Sequence, residues 1–451
     1  MSRLEILRLH PEATRRVLRI ATPVVLGSLS FTLLSVVDTI MLGRLGPLPL
    51  AASGIAAVLF QVIAFPLAGI GTGVQTLVAR RFGEGRLQVA GVIRSNGLAM
   101  ALVLGIPLIF LAPWLARTLA PILSGDQAVV DLGGVYLQYR FYGTIFVFIN
   151  WVFRGFFAAI GETKHQMAAN LVITLTNIVL DYFLIFGIAG FPALGVKGAA
   201  IASTIALGAG ALYFLVAALL PRFRTAYGVF RPRLGNRELT WPIIRLSLPV
   251  VVQRLVAHGA WFAFFFVVSR IGTLALASTN VLRSLFNLPV MVGVGMGTAG
   301  AALVGQKLGA KRPEEAELLA VEATKLAAYA MAVFGLLFLV VPIPLMRIYT
   351  SDPQVIALGH TPLIMLGVVQ AVAGIVLVLT QALQGAGNTR YVMGAEIAVC
   401  LGLYLPVVYV LGLHTPLGLI GAWTGEYVYW VALAAIMIRK FRRGDWKSIV
   451  L

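Results

Sequence analysis

Charge is scarce in this chain: Asp, Glu, Lys and Arg make up only 12% of its 451 residues. That is about half the share of an ordinary soluble domain and excludes a globular protein living in water. Cysteine is nearly absent. With Cys400 alone, no intramolecular disulfide can form and no cysteine-based metal finger can be built. The five histidines, at 10, 165, 258, 360 and 414, show no metal-ligand spacing with carboxylates. No GxxxxGKS/T phosphate loop occurs, which argues against a built-in ATP motor. No convergent catalytic cluster marks an enzyme, and no cofactor is implied. Strands of alternating apolar and polar residues are lacking too, so a membrane barrel is excluded.

What fills the sequence instead is apolar: hydrophobic residues supply 59% of it and the mean hydropathy is +0.93. A helix crossing a bilayer core needs roughly 20 apolar residues, and stretches of that length recur from end to end. Spans are expected near 17–42, 50–79, 91–118, 132–153, 167–189, 196–220, 242–269, 276–306, 318–344, 359–384, 391–413 and 416–438. The first run is too long for a signal peptide and lacks a small-residue cleavage site, so it counts as the first span. The formal net charge of +18 would suggest nucleic acid in a soluble chain. Here the basic residues gather at helix ends instead: Arg3 to Arg19, Arg80 to Arg94, Arg154 to Lys164, Arg222 to Arg245, Lys307 to Lys325, Arg390, and Arg439 to Lys447. These are alternate loops, so the positive-inside rule puts both termini in the cytoplasm of an inner-membrane protein, and nucleic acid is not an expected partner.

The chain repeats itself. Arg19, Pro23, Val24 and Val25 recur as Arg245, Pro249, Val250 and Val251, a shift of 245 − 19 = 226. The same shift carries Arg44 and Gly46 to Arg270 and Gly272, Gly71 and Thr72 to Gly297 and Thr298, and Gly161, Thr163 and Met167 to Gly387, Thr389 and Met393. After a small deletion, Leu194, Gly195, Gly198 and Ala199 match Leu417, Gly418, Gly421 and Ala422. The expected fold is therefore an all-α integral membrane protein of twelve helices in two six-helix bundles, related by a pseudo-two-fold axis along the membrane normal. The expected division is 1–220 as N-lobe, 221–241 as cytoplasmic linker and 242–451 as C-lobe, with the substrate path between the lobes. The GxGxxG string of Gly295, Gly297 and Gly300 lies inside an apolar span, so close helix packing by small residues explains it better than a dinucleotide site.

Ionisable groups inside hydrocarbon cost about 2.5 to 3.5 kcal/mol each, so every one needs a reason. Asp38 comes late in the first span; Asn177 and Asp181 stand four residues apart on the fifth, hence on one helical face. Both acids fall in the outer part of the membrane, where two carboxyls in a dry pocket would raise each other's affinity for a proton. The blander readings are a solvated helix end for Asp38, near Arg44, and a structural hydrogen bond for Asp181. The 226 shift replaces the three by Phe264, Leu403 and Val407, which confines this chemistry to the first half. The second half places Arg254, His258, Arg283 and Glu426 within spans, either as a helix-holding ion pair or as a cavity for an anionic substrate group. Glu396 reads as a solvated helix end.

Several segments together resemble the multidrug and toxic compound extrusion family, nearest its prokaryotic DinF branch. They are Val37-Asp38-Thr39-Ile40-Met41 followed by Gly43-Arg44-Leu45-Gly46, the turns Gly161-Glu162-Thr163-Lys164 and Gly387-Asn388-Thr389-Arg390, and Leu194-Gly195-Val196-Lys197-Gly198-Ala199-Ala200. The resemblance covers essentially the whole chain. It implies a monomeric antiporter that exchanges a proton, or sodium, for an amphipathic organic substrate by alternating access, with membrane lipid as its surroundings. It also implies that Asp38, Asn177 and Asp181 form the cation site, with Asn150, Ser203 and Thr204 as further members, and that the first helix bends at Pro23. One departure stands out: Pro249-Val250-Val251-Val252-Gln253-Arg254 carries no acid where several relatives have a coupling glutamate. This favours protons over sodium, and Arg254 and Arg283 leave open a flippase or exporter of lipid-like anions.

Overall fold

The computed structural model describes residues 9–188, 190–228 and 230–451; Arg3 of the first basic cluster and Ala189 at the end of the fifth expected span lie outside them. Among the described residues every regular element is a helix. The first six spans are built from α1 (Pro11–Gly43), α2 (Pro47–Leu67) with α3 (Ile70–Gly83), α4 (Leu87–Leu119), α5 (Gln127–Tyr142) with α6 (Thr144–Ala159), α7 (Lys164–Phe186) and α8 (Gly195–Leu219). After the short α9 (Pro221–Tyr227) come α10 (Arg237–Ile271), α11 (Thr273–Gly309), α12 (Pro313–Val340), the short α13 (Pro342–Arg347), α14 (Pro353–Gly385), α15 (Thr389–Val399), α16 (Leu405–Leu413) and α17 (Gly418–Arg443). Eleven helical stretches are each long and apolar enough to cross a bilayer, and α5 with α6, bent by 46° at Gly143, makes the twelfth if its halves count as one span.

The sequence repeat is a repeat of structure. Helix starts at 11, 47, 87 and 127 recur at 237, 273, 313 and 353, each shifted by 237 − 11 = 226. The local causes recur with them. Asp126 caps α5 by accepting from the N–H of Ala128 at 2.9 Å, and Asp352 caps α14 by accepting from Gln354 at 2.8 Å, each satisfying one orphan donor of its helix. Gly161 and Gly387 both turn with positive φ, 79° and 98°, a conformation that costs glycine nothing.

Three spans are less regular than the sequence pattern suggests. The second tightens between Leu67 and Ile70, where Pro66 lacks an N–H and the Ala68 and Gly69 amides reach back three residues, to Phe65 and Pro66. The fourth bends at Gly143, and the eleventh passes through a π-helical turn at Cys400–Tyr404 between α15 and α16.

The chain forms two compact units. One is Leu26–Val251; the other joins the residues up to Val25 to Val252–Leu451. In the first unit the 221–241 segment is docked on the start of α4: the Tyr227 carbonyl faces Gly91, where any Cβ would collide with it. Arg94, fully buried, donates to the Gly228 carbonyl at 3.1 Å from between the rings of Phe156 and Phe230, so it is a core residue rather than part of a basic loop. In the second unit Phe264 packs among Trp261, Phe265, Tyr404 and Trp423.

Candidate functional site

Within the unit Leu26–Val251, the C-terminal half of α1 runs beside α7 in a fixed register. Gly27 lies against Met167 and Asn170, close enough that a Cβ would sit 2.7 Å from the Asn170 amide nitrogen. One turn further the Thr174 hydroxyl donates to the Ser30 carbonyl at 3.3 Å. At the far end the carboxyl groups of Asp38 and Asp181 come within hydrogen-bonding reach of each other. The offset between partners stays at 143 or 144 throughout, as parallel helices require, and it delivers the two acids to one place.

The face of α7 that makes this contact is polar along its length. Asn170, Thr174, Asn177 and Asp181 follow at spacings of four, three and four, and all are at most 2% exposed. Asn170 is held at the N-terminal end by the Arg154 guanidinium, which donates to its Oδ1 at 2.6 Å while lying over Phe31 and Trp151. At the Asp181 end hydrogen bonding fails. Oδ1 of Asp38, both oxygens of Asp181 and both amide atoms of Asn177 are buried without a protein partner among the described residues. Two carboxylates can only accept, so neither can satisfy the other while both are ionised. A proton held between them supplies the missing donor and removes one of two like charges; a bare cation does the second alone.

Arg140 on α5 also faces the acids electrostatically. Its guanidinium lies 4.6 Å from the Phe60 ring centroid and its Nε is buried without a partner. Tyr136, one turn earlier and buried, shares the same field. Neither is singled out in the sequence reading, although Arg140 falls inside the expected 132–153 span and the rule that selects Asp181 selects it equally. Asn150 and Thr204 have bonds of their own: the Asn150 amide donates to the Leu207 carbonyl at 2.9 Å and the Thr204 hydroxyl to the Tyr139 carbonyl at 2.8 Å. These bonds fasten α8 to α6 and α5. Pro23 lies inside α1, in the other compact unit.

In the second unit Glu426 accepts from the Tyr404 hydroxyl at 2.9 Å and from Trp430 Nε1 at 3.1 Å, so its oxygens are engaged by neutral donors rather than by an arginine. Arg283 lies over the Phe265 ring at 5.5 Å with its Nε buried and unbonded. His258 Nδ1 stands 2.7 Å from the Arg254 carbonyl. Glu396 corrects the expectation of a solvated helix end. It is 3% exposed and takes hydrogen bonds from Tyr429 at 2.5 Å and Gln253 at 3.4 Å, because α15 begins far enough before it to carry it a full two turns inward.

A duplicated bundle of membrane-spanning helices in which the buried Asp181 meets the half-buried Asp38 inside one copy defines a multi-pass membrane transporter. The MatE family model matches residues 23–183 and again 249–410, and the chain belongs to that family. It is similar to the probable multidrug resistance protein NorM of Thermotoga maritima, 26% identical over 441 residues, covering 97% of this chain and 94% of the relative. The protein of the same name in Burkholderia mallei is 30% identical over 434 residues, covering 94% and 92%. Among solved structures, a MOP superfamily transporter from Pyrococcus furiosus superposes with a TM-score of 0.88 at 23% identity, over 100% of this chain and 99% of that one. An outward-facing multidrug resistance MATE family transporter of the MOP superfamily gives 0.86 at 23% identity, over 99% and 97%. At these identities the structural likeness shows the fold.

Proposed function

We propose that this protein is a secondary active exporter that moves amphipathic organic compounds outward in exchange for protons, or sodium ions, entering through the Asp38 and Asp181 pair. The multidrug resistance names of its relatives support the cargo. The observation that carries the coupling is the meeting of two carboxyls on membrane-spanning helices with no protein donor for Asp181. Loading one proton there cancels a repulsion that the surrounding helices would otherwise bear, and Arg140 nearby helps hold whatever negative charge remains. The driving force is adequate, since each charge crossing the field yields about 2.3 kcal/mol per 100 mV before any pH gradient is counted. In this reading the protein works as a monomer in the inner membrane with both termini in the cytoplasm. Its partners are lipid and the small-molecule cargo, with no nucleic acid and no resident cofactor.

The test is extrusion of a fluorescent dye by reconstituted vesicles under an imposed pH or sodium gradient. Asp38→Asn combined with Asp181→Asn is expected to reduce gradient-driven extrusion to the level of protein-free vesicles. Undiminished coupled transport by the double variant refutes the assignment. A second reading, movement of lipid-like or anionic amphiphiles, is favoured by one observation: the Arg283 Nε is buried in a span without a partner. Loss of anionic amphiphile transport in Arg254→Ala, with cationic dyes spared, would select it.

A further inference from the structure

The boundary between the compact units falls inside two helices, after Val25 in α1 and after Val251 in α10, positions related by the repeat shift 251 − 25 = 226. The opening half of each repeat's first helix therefore belongs to the unit built mainly from the other repeat. Each half is held in the same way. In the unit containing Val252–Leu451, Val25 and Ala21 pack on Gly295 of α11, where an added Cβ would come within 2.5 Å of Val25 and 3.3 Å of the Ala21 carbonyl. At the other end of that half, Glu322 of α12, wholly buried, accepts from the backbone N–H of His10 at 2.7 Å and from the Thr14 hydroxyl at 2.6 Å. In the unit Leu26–Val251, Val251 packs on Gly69, 2.9 Å from its notional Cβ. Asn96 of α4, also wholly buried, accepts from the Arg233 N–H at 2.7 Å and donates to the Thr240 hydroxyl at 3.2 Å.

Gly69 and Gly295, Asn96 and Glu322, Thr14 and Thr240, and Val25 and Val251 are all repeat partners at the same shift. Between clasp and glycine seat stand the repeat-related prolines, Pro23 in α1 and Pro249 in α10, the latter helix carrying Pro242 near its start as well. Each lacks the N–H that would bond back along the helix, so bending concentrates there. A helix can pass a bend along its length only if one end is fixed; a free first turn would fray instead.

We propose that Glu322 and Asn96 are positioning residues for transport: they fix the opening halves of α1 and α10 so that each helix flexes at its proline when the far half moves. The clasp on α1, whose far half bears Asp38, is the stronger. Glu322 receives both donors on one oxygen, at 2.7 and 2.6 Å, with Lys325 Nζ 4.0 Å from the other, a tighter set than the 2.7 and 3.2 Å bonds of Asn96. Asn96 does the same work for α10 without charge. The inference rests on the exporter reading above.

The experiment uses the full chain in vesicles with ethidium as cargo under a pH gradient, alongside amide exchange of the first turns of α1 in the purified protein. Glu322→Ala removes two hydrogen bonds, each worth about 0.5 to 1.5 kcal/mol, and is therefore expected to slow extrusion per folded molecule about tenfold. It is also expected to speed exchange at the start of α1 and to leave the ethidium Kd within about twofold. Glu322→Gln keeps the acceptor for Thr14 and should recover most of the rate. If Glu322→Ala does not fold, Thr14→Val, which removes one donor and no charge, gives the same pattern at smaller size. Faster exchange with an unchanged rate overturns the inference, as does a rate that falls while the ethidium Kd rises in proportion. Wild-type protein that moves no ethidium under the gradient overturns the exporter reading itself, and the inference with it.

Discussion

Asn177 is the most expensive neutral residue in the first unit, and replacing it by leucine separates stability from function. Its side chain is fully buried, and neither Nδ2 nor Oδ1 has a partner among the described residues. A buried polar group without a hydrogen bond costs about 1–3 kcal/mol, and this amide leaves both of its ends unpaired. Leucine has the same branching and already occupies the repeat-equivalent position, Leu403. Its larger methyl groups return about 1 kcal/mol through crowding, so Asn177→Leu should stabilise the folded protein by about 2 kcal/mol. For a unit the size of Leu26–Val251, that raises an unfolding midpoint by about 4 °C. The assay is thermal unfolding in detergent, paired with gradient-driven dye extrusion, which should fall toward background because the amide stands one turn from Asp181. On the exporter reading proposed above, that cost supports ion coupling rather than the fold. A variant that melts below the wild type, or that transports undiminished, would refute this reasoning.

Two further outcomes follow from the geometry. Gly198→Val should abolish recovery of monodisperse protein, because any Cβ at 198 comes 2.5 Å from the Leu184 carbonyl oxygen where α8 meets α7; overpacking typically costs 1–3 kcal/mol, and a backbone obstacle moves less than a side chain. Wild-type yield and melting would contradict the contact. Beyond the last span, hydrogen bonds from Lys447 to Glu317 and Glu314 raise its pKa above the ordinary 10.5. A folded pKa above the unfolded one means a contribution fully present below the unfolded value and lost as pH rises through the folded value. The chain end should therefore stay resistant to protease at neutral pH and loosen only above about pH 10.5, and release well below the lysine range would show that these pairs do not hold it.

The architecture is legible in the sequence because hydrocarbon imposes it: long apolar runs, basic punctuation and turn glycines have few alternative readings. The repeat adds register: its shift of 226 is kept to the residue by the starts of the first four spans and shortens to 225 and 223 at the fifth and sixth. Asp38 and Asp181 are recognisable because buried charge is rare in such spans. Arg140 is equally rare and equally placed, but a single arginine among aromatic residues reads as an interface residue until a second helix brings acids beside it. The bend at Gly143 and the π-turn at Cys400 leave no comparable trace, since glycine and cysteine in apolar spans are common and only tertiary packing decides whether the helix yields there. Glu396 illustrates the opposite error: distance from a helix start suggests water, whereas Tyr429 and Gln253 from other helices supply the bonds that let it be buried.

Duplication explains how one scaffold can hold both an ionisable site and its absence. The position of Asp38 is taken in the second repeat by Phe264, which stacks with Trp261 and Tyr404 and meets Trp423 edge-on; the positions of Asn177 and Asp181 become Leu403 and Val407. Polar atoms lacking partners in one copy are thus matched by close aromatic packing in the other. Orphaned atoms occur in the other unit as well, where among the described residues Arg283 Nε, one Glu322 oxygen and both amide atoms of Gln370 are buried without a partner; what belongs to one copy alone is the pair of acids with an unpaired amide one turn away. The shared features, the caps at Asp126 and Asp352 and the turns at Gly161 and Gly387, are those that build helices. The divergent ones lie where the helices of one copy meet around the acids, and function is to be sought in that difference.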